Sequence, residues 1–339
     1  MILWYLHDHG AGHLARARAV IPKLRSPVVV AAGPGIAAAA ARRLDVTVVA
    51  LPDDVPTRPV PTIGPWHHAP AAPEQRARAA ALAAAVSEHR CTTAVVDVSM
   101  EVTALARLLG LRVVTVRQSG HRRDPAHRVG LASADAVWVP QHRALEPLDD
   151  DADGVDGRWC FTGAFSRLDD TRGVAATPVP SARRTAVLLV GTGGTGFDVS
   201  SWRRATAPAG WRVVIVGAGE RWSCGAVASV GHVECLGSLL GAADVVVASA
   251  GWGAVADAVA ARARLALVPE PRPFEEQATR VAALAAAGLA VDVGTWPSPA
   301  RLSTVLDDAM RLTPADWAPF YDGQGACRAA ALIDRTHAT

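Results

Sequence analysis

Lysine is almost missing from this chain of 339 residues: Lys23 is the only one, and arginine carries the rest of the positive charge. With 34 basic against 32 acidic side chains, the formal net charge is only +2. A concentrated basic face for nucleic acid is therefore not expected. The excess of arginine and alanine reads as the mark of a GC-rich genome. Aromatic residues are few, at 5%, and the ten tryptophans have no interleaved basic stripe, which assigns them to core or cleft walls. Cysteine is sparse and odd in number. Cys91, Cys160, Cys224, Cys235 and Cys327 are scattered without a C-x-x-C, so reduced thiols in a cytoplasmic protein are expected rather than a disulfide framework. No apolar run reaches the roughly 18 residues that a membrane span requires. The chain opens directly into an expected strand with no basic leader, so no secretory signal is expected. The Ala/Arg-rich stretch over 74–89 reads as a surface helix, with peripheral membrane contact left open.

What is present is a soluble globular composition, half hydrophobic, long enough for two domains with a core each. Short β-branched runs alternate with Ala/Leu-rich helical patterns, which predicts an α/β protein with parallel sheets covered by helices. Strands are expected near 2–6, 28–32, 46–50, 94–98, 112–116 and 136–139, then near 186–190, 212–216, 232–235, 245–248, 265–268 and 290–293. Helices are expected over 13–24, 34–43, 73–89, 99–109 and 125–133. The stretch 166–184, rich in Asp, Thr, Pro and Ala, reads as a linker. The division is thus 1–165, a linker over 166–184, 185–313, and a C-terminal helical segment over 314–339 expected to pack back on the first domain. Two facing, doubly wound, Rossmann-like domains result, with ligands expected in the cleft beyond the carboxyl ends of the strands.

Several turns carry chemistry. His7-Asp8-His9-Gly10-Ala11-Gly12-His13 follows the first strand and opens the first helix. Gly10 and Gly12 allow a sharp turn and close approach to a ligand. His13 at a helix N-terminus is held neutral by the dipole and stays available as a base. The three histidines lack the i, i+4 spacing of a helical metal motif, and no metal is expected. Asp97 ends a hydrophobic strand, and two roles stay open for it: orienting His13, or capping the helix that begins near Ser99. Asp149-Asp150-Asp151-Ala152-Asp153-Gly154 imitates a calcium loop, but its twelfth position is Cys160 instead of Glu, which excludes that reading.

Gly191-Thr192-Gly193-Gly194-Thr195-Gly196 matches G-x-G-x-x-G after a strand. A dinucleotide site also needs an acid about 20 residues on, at the end of the next strand. That strand ends in Gly217-Ala218-Gly219 and Glu220 comes too late, so a phosphate- or sugar-facing loop is expected and a nicotinamide cofactor is not. Further on, Ser249-Ala250-Gly251-Trp252-Gly253 breaks an apolar run and opens a helix carrying Asp257. Glu275-Glu276-Gln277 then opens another. Helix N-termini after Gly-rich turns hold anions, and acid and amide groups nearby can hold hydroxyls. Diphosphate, ribose and sugar together describe a nucleotide-sugar pocket.

The segment 249–288 resembles the donor-binding half of GT-B glycosyltransferases, in the family 28-like branch that includes the bacterial enzyme adding N-acetylglucosamine to peptidoglycan lipid I. The resemblance implies two facing Rossmann-like domains and a metal-independent hexosyl transfer, with a nucleoside-diphosphate sugar as co-substrate and no further cofactor. By position it puts Asp257 on the ribose hydroxyls, Glu276 and Gln277 on the donor sugar, and Gly251, Trp252 and Gly253 at the phosphates. The run 162–167 resembles the family's T-G-x-x-x-R element, which makes Arg167 the diphosphate clamp. Leu236 falls where backbone groups read the nucleobase, and Gly10, Gly12 and His13 match the N-terminal loop. Thr192, Gly193 and Gly194 join the donor-facing set. The acceptor-binding positions fall on Arg117, Gln118 and Ser119, where the family has acidic and amide residues. Asp257 replaces a Glu, and the turn at 191–196 lacks the usual Ser. The function expected is inverting glycosyl transfer from a UDP-linked sugar, with His13 as base. The acceptor is open among a small natural product, a peptide and a lipid-linked glycan. The alternatives are a UDP-sugar 2-epimerase or a non-catalytic nucleotide-sugar-binding protein.

Overall fold

The computed structural model describes residues 1–7, 11–53, 55–62, 64–147, 157–171, 183–191, 195–233 and 236–339. In the first domain the strands are β1 (Ile2–Leu6), β2 (Val28–Ala32), β3 (Thr47–Ala50), β4 (Thr93–Val96), β5 (Arg112–Val116), β6 (Ala136–Val139) and β7 (Trp159–Phe161). They form one parallel sheet in the order β3-β2-β1-β4-β5-β6-β7. Helices α1 (Ala11–Val20), α2 (Pro34–Arg43), α3 (Pro73–Glu88), α4 (Met100–Leu108) and α5 (Pro125–Ala132) make the crossovers.

The second domain holds β8 (Arg184–Leu189), β9 (Trp211–Val216), β10 (Trp222–Cys224), β11 (Val227–Ser229), β12 (Val245–Ser249), β13 (Arg264–Val268) and β14 (Val291–Asp292). Their order is β10-β11-β9-β8-β12-β13-β14, parallel except for the β10–β11 hairpin. Helices α6 (Gly237–Gly241), α7 (Trp252–Ala260), α8 (Glu276–Ala286) and α9 (Leu302–Met310) cover it, and α10 (Gly325–Ala338) closes the chain.

Continuous apolar runs form these strands because helices cover both faces of each sheet. Side chains along a strand alternate between faces. Ile2, Trp4 and Leu6 of β1 therefore pack with α1, α2 and α10, while Leu3 and Tyr5 pack with α3 and α4 on the other side. Val187 and Leu189 of β8 separate from Ala186 and Leu188 in the same way. Winding reverses between β1 and β4 in one sheet and between β8 and β12 in the other. Such reversals leave a crevice at the carboxyl ends of the strands, and the two crevices face one cleft.

The segment over 314–339 is not one helix. Trp317 and Tyr321 pack into the second domain, whereas Ala326, Ala329, Ala330, Leu332 and Ile333 of α10 join the core of the first. The crossing passes so close to the backbone that a Cβ on Gly325 would lie 2.5 Å from Gly163 O. The strand expected over 232–235 is not seen at 232–233, and 234–235 lie outside the described residues. The short β10–β11 hairpin stands beside β9 instead, and β7 was not anticipated because its three residues are too few to show a period. Among the described residues no helix is long and apolar enough to cross a membrane.

Candidate active site

Between the domains lies a cleft of about 1500 Å³. Gly12, His13 and Arg16 of α1 line one wall, and Ser249, Gly251, Trp252, Gly253 and Asp257 line the other, with Leu236, Glu276 and Gln277 nearby. Arg167 and Gln118 also face it. Gly10 of the first turn, and Thr192, Gly193 and Gly194 of the glycine turn, lie outside the described residues, as does the acidic loop over 149–154.

His13 sits in the first turn of α1, 7% exposed, with Nδ1 3.1 Å from Asp97 Oδ1. The contact pairs the groups without a well-aligned hydrogen bond. Asp97 directly follows β4 and is fully buried. It does not cap α4: Ser99 does that, its Oγ accepting from Val102 N at 3.2 Å. Between them Val98 takes φ 71°, a left-handed conformation that a β-branched residue adopts only under constraint. Arg16, unforeseen from the sequence, donates from Nη1 to the same Asp97 Oδ1. Burial by itself would raise the Asp97 carboxyl, but Arg16 and then His13 overcome it and hold it below its ordinary value. The available signal was spacing, since residues three apart share a helix face.

On the opposite wall, Gly251 is the N-cap of α7 and offers no side-chain cap. The first-turn N–H groups are thus open to an anion. Asp257 is buried, and burial pushes its carboxyl up against the opposing pull of Arg167 and Ser166. Its Oδ1 accepts from Ser166 Oγ at 2.6 Å, and its Oδ2 from Arg167. Gln277 Oε1 accepts from Glu270 N at 3.0 Å, and Glu276 pairs with Arg280 at 3.1 Å. Against the burial that would raise it, Arg280, Arg122 and Arg16 hold the Glu276 carboxyl low. Glu270 was also unforeseen. It accepts from Thr195 Oγ1 at 2.6 Å and from Gly196 N at 3.1 Å, which fastens the far end of the glycine turn to the loop that follows β13. Leu236 is the N-cap of α6, with its side chain in the second-domain core.

Of the three residues expected to meet the acceptor, only Gln118 reaches the cleft. Arg117 and Ser119 turn inward, to Glu146 Oε1 at 2.6 Å and Oε2 at 2.7 Å. A buried carboxylate needs such donors, and Glu146 lies too far along the chain for the sequence to show the demand.

A second junction joins the domains beside this cluster. His121 N donates to Phe274 O at 2.8 Å, and the Phe274 ring lies 4.7 Å from His127 and 5.1 Å from His67. Asp124 holds both histidines, His67 Nε2 and His127 Nδ1 each at 2.6 Å. Three residues of metal-ligating type thus meet here, yet they fit a cation poorly. Arg122 Nη1 lies 3.0 Å from His127 Nε2, and a guanidinium only donates, so Nε2 accepts and Nδ1 carries the proton given to Asp124. A metal-bound histidine needs the opposite arrangement, its second nitrogen donating. The cluster is a hydrogen-bonded clasp.

No family model matches the chain, and no curated protein is similar to it in sequence. Solved structures are similar in fold along the whole chain. The glycotransferase of kitacinnamycin and the calicheamicin glycosyltransferase CalG4 are each 17% identical, with 99% of this chain and 98% of theirs covered and a TM-score of 0.68. MurG of Acinetobacter baumannii is 15% identical, with 98% and 99% covered and a TM-score of 0.67. These two facing parallel-sheet domains are therefore the GT-B fold, as the resemblance implied.

Proposed function

We propose that the protein is an inverting, metal-independent glycosyltransferase that moves a sugar from a nucleoside diphosphate, UDP in our reading, to an acceptor hydroxyl or amine. One observation supports this best. His13, backed by Asp97, and the uncapped N-terminus of α7 line the same cleft from opposite domains. The acceptor atom attacks the anomeric carbon as His13 takes its proton, and the bond to the diphosphate breaks on the far side with its electron pair leaving on the phosphate oxygen. General-base assistance of this kind contributes on the order of 10²–10⁴-fold. The α7 N–H groups and Arg167 hold the departing charge. Among the described residues Arg167 uses Nε and Nη2 on Asp257, which leaves Nη1 to meet a phosphate. Asp257 serves the ribose, Glu276 and Gln277 the sugar, and Leu236 the nucleobase. Closure of the cleft keeps water from the donor.

The spinosyn rhamnosyltransferase SpnG, 16% identical with a TM-score of 0.57, is seen with thymidine diphosphate, so dTDP belongs beside UDP in binding tests. His13→Ala is expected to abolish transfer while calorimetry shows nucleotide affinity nearly intact. Retained turnover rejects His13 as the base.

A further inference from the structure

We propose that Arg16 is a positioning residue for the proton-accepting pair: it fixes the Asp97 carboxylate and offsets its charge, so that the His13 ring stays free to take a proton. The inference rests on the reading of His13 as the base.

Arg16 is 1% exposed, on the same face of α1 as His13. Its Nη1 and His13 Nδ1 both converge on Asp97 Oδ1. Asp97 Oδ2, Arg16 Nε and His13 Nδ1 are buried without a hydrogen-bond partner among the described residues. A guanidinium and an imidazole thus share one oxygen of a fully buried carboxylate, so the charge that His13 meets there is set by Arg16 as well as by Asp97. The guanidinium also lies 5.3 Å from the Trp252 ring, so the residue that sets the charge at His13 rests on the donor turn of the other domain.

An uncompensated carboxylate at 3.1 Å would favour the imidazolium, and an imidazolium cannot accept the acceptor's proton. A guanidinium on the same oxygen cancels much of that pull. The other groups facing the pair are His7, whose ring is 5.8 Å from that of His13 at the end of β1, and Glu276 on α8, which feels the charge of Arg16. His7 adds a weaker pull on Asp97 than Arg16 and His13 do, and Glu276 is an anion that acts on Arg16. Asp8 and His9 lie outside the described residues.

The test reads the ring itself and needs no acceptor. The His13 ring resonance of the full chain, assigned by its loss in His13→Ala, is followed against pH by NMR. Arg16→Gln is expected to move its titration midpoint upward by about one pH unit or more, and Arg16→Lys to bring it back to within about half a unit. An unmoved midpoint in a folded Arg16→Gln protein overturns the proposal. Should that variant not fold, Asp97→Asn decides, because it keeps the guanidinium and removes its counter-charge. There the midpoint must lie below that of Arg16→Gln/Asp97→Asn, which lacks the guanidinium as well, and equal midpoints in the two overturn the proposal. Turnover retained by His13→Ala would reject the base while leaving these midpoints as they are, so the two failures can be told apart.

Discussion

Arg167 and Asp257 are joined through a single carboxylate oxygen, Oδ2, with Nε at 2.8 Å and Nη2 at 2.7 Å. The pair ties the chain segment leaving the first domain to α7 of the second. It also brings the diphosphate and ribose candidates within one interaction, so binding of the donor and the setting of the domains share residues.

A nucleoside and a nucleotide separate the two roles. Asp257→Ala is expected to weaken both uridine and UDP about tenfold or more, equivalent to ~1.4 kcal/mol. Arg167→Ala is expected to weaken UDP more than uridine, because only UDP offers a diphosphate to the guanidinium. Calorimetric titration reads both, and unchanged affinity in Asp257→Ala removes that residue from the ribose site.

His127 gives the fold a pH dependence. Burial lowers its pKa to about 4 from 6.5, with Arg122 adding to the effect and Asp124 opposing it. Between those values the unfolded chain binds the proton and the folded one does not, so stability rises with pH across the window and is lost on acidification. Chemical denaturation at several pH values is expected to show this slope from pH 6.5 down to about 4. His127→Gln should flatten it, and a slope unchanged in that variant assigns it to other groups.

Gly120 sits where the domains touch. At φ 106° a side chain is strained, and its Cβ would lie 2.3 Å from Phe274 O. Gly120→Ala is expected to cost about 1–3 kcal/mol and to loosen the junction held by the His121–Phe274 hydrogen bond. A lower melting temperature with faster amide exchange at His121 checks this. A melting temperature equal to wild type contradicts it.

Trp252 bridges the domains through Nε1, which donates to Pro140 O at 2.8 Å. Trp252→Phe keeps an aromatic ring beside Phe165 and Arg16 but leaves the Pro140 carbonyl unpaired. The expected loss is ~1 kcal/mol of unfolding free energy, read by denaturant titration, together with weaker nucleotide binding if the donor turn shifts with it.

The sequence by itself determined the local order of the molecule. The buried run Ile2–Leu6 and the glycines before α7 are written in short windows, because strand and helix periods and turn residues act over a few positions. That is why the two doubly wound domains, the place of His13 at the start of α1 and the Gly251 turn before α7 were legible. Short edge pieces such as β7 and the β10–β11 hairpin were not, since three residues carry no period.

Tertiary structure alone decided the partners. Asp97 meets Arg16 across 81 positions, and Ser166 meets Asp257 across 91. Glu146 draws Arg117 and Ser119 away from the cleft, and Asp124 gathers His67 and His127 beside Phe274. Each pairing depends on which strand ends the sheet order sets side by side. A buried charge then takes whichever donors that order leaves within reach.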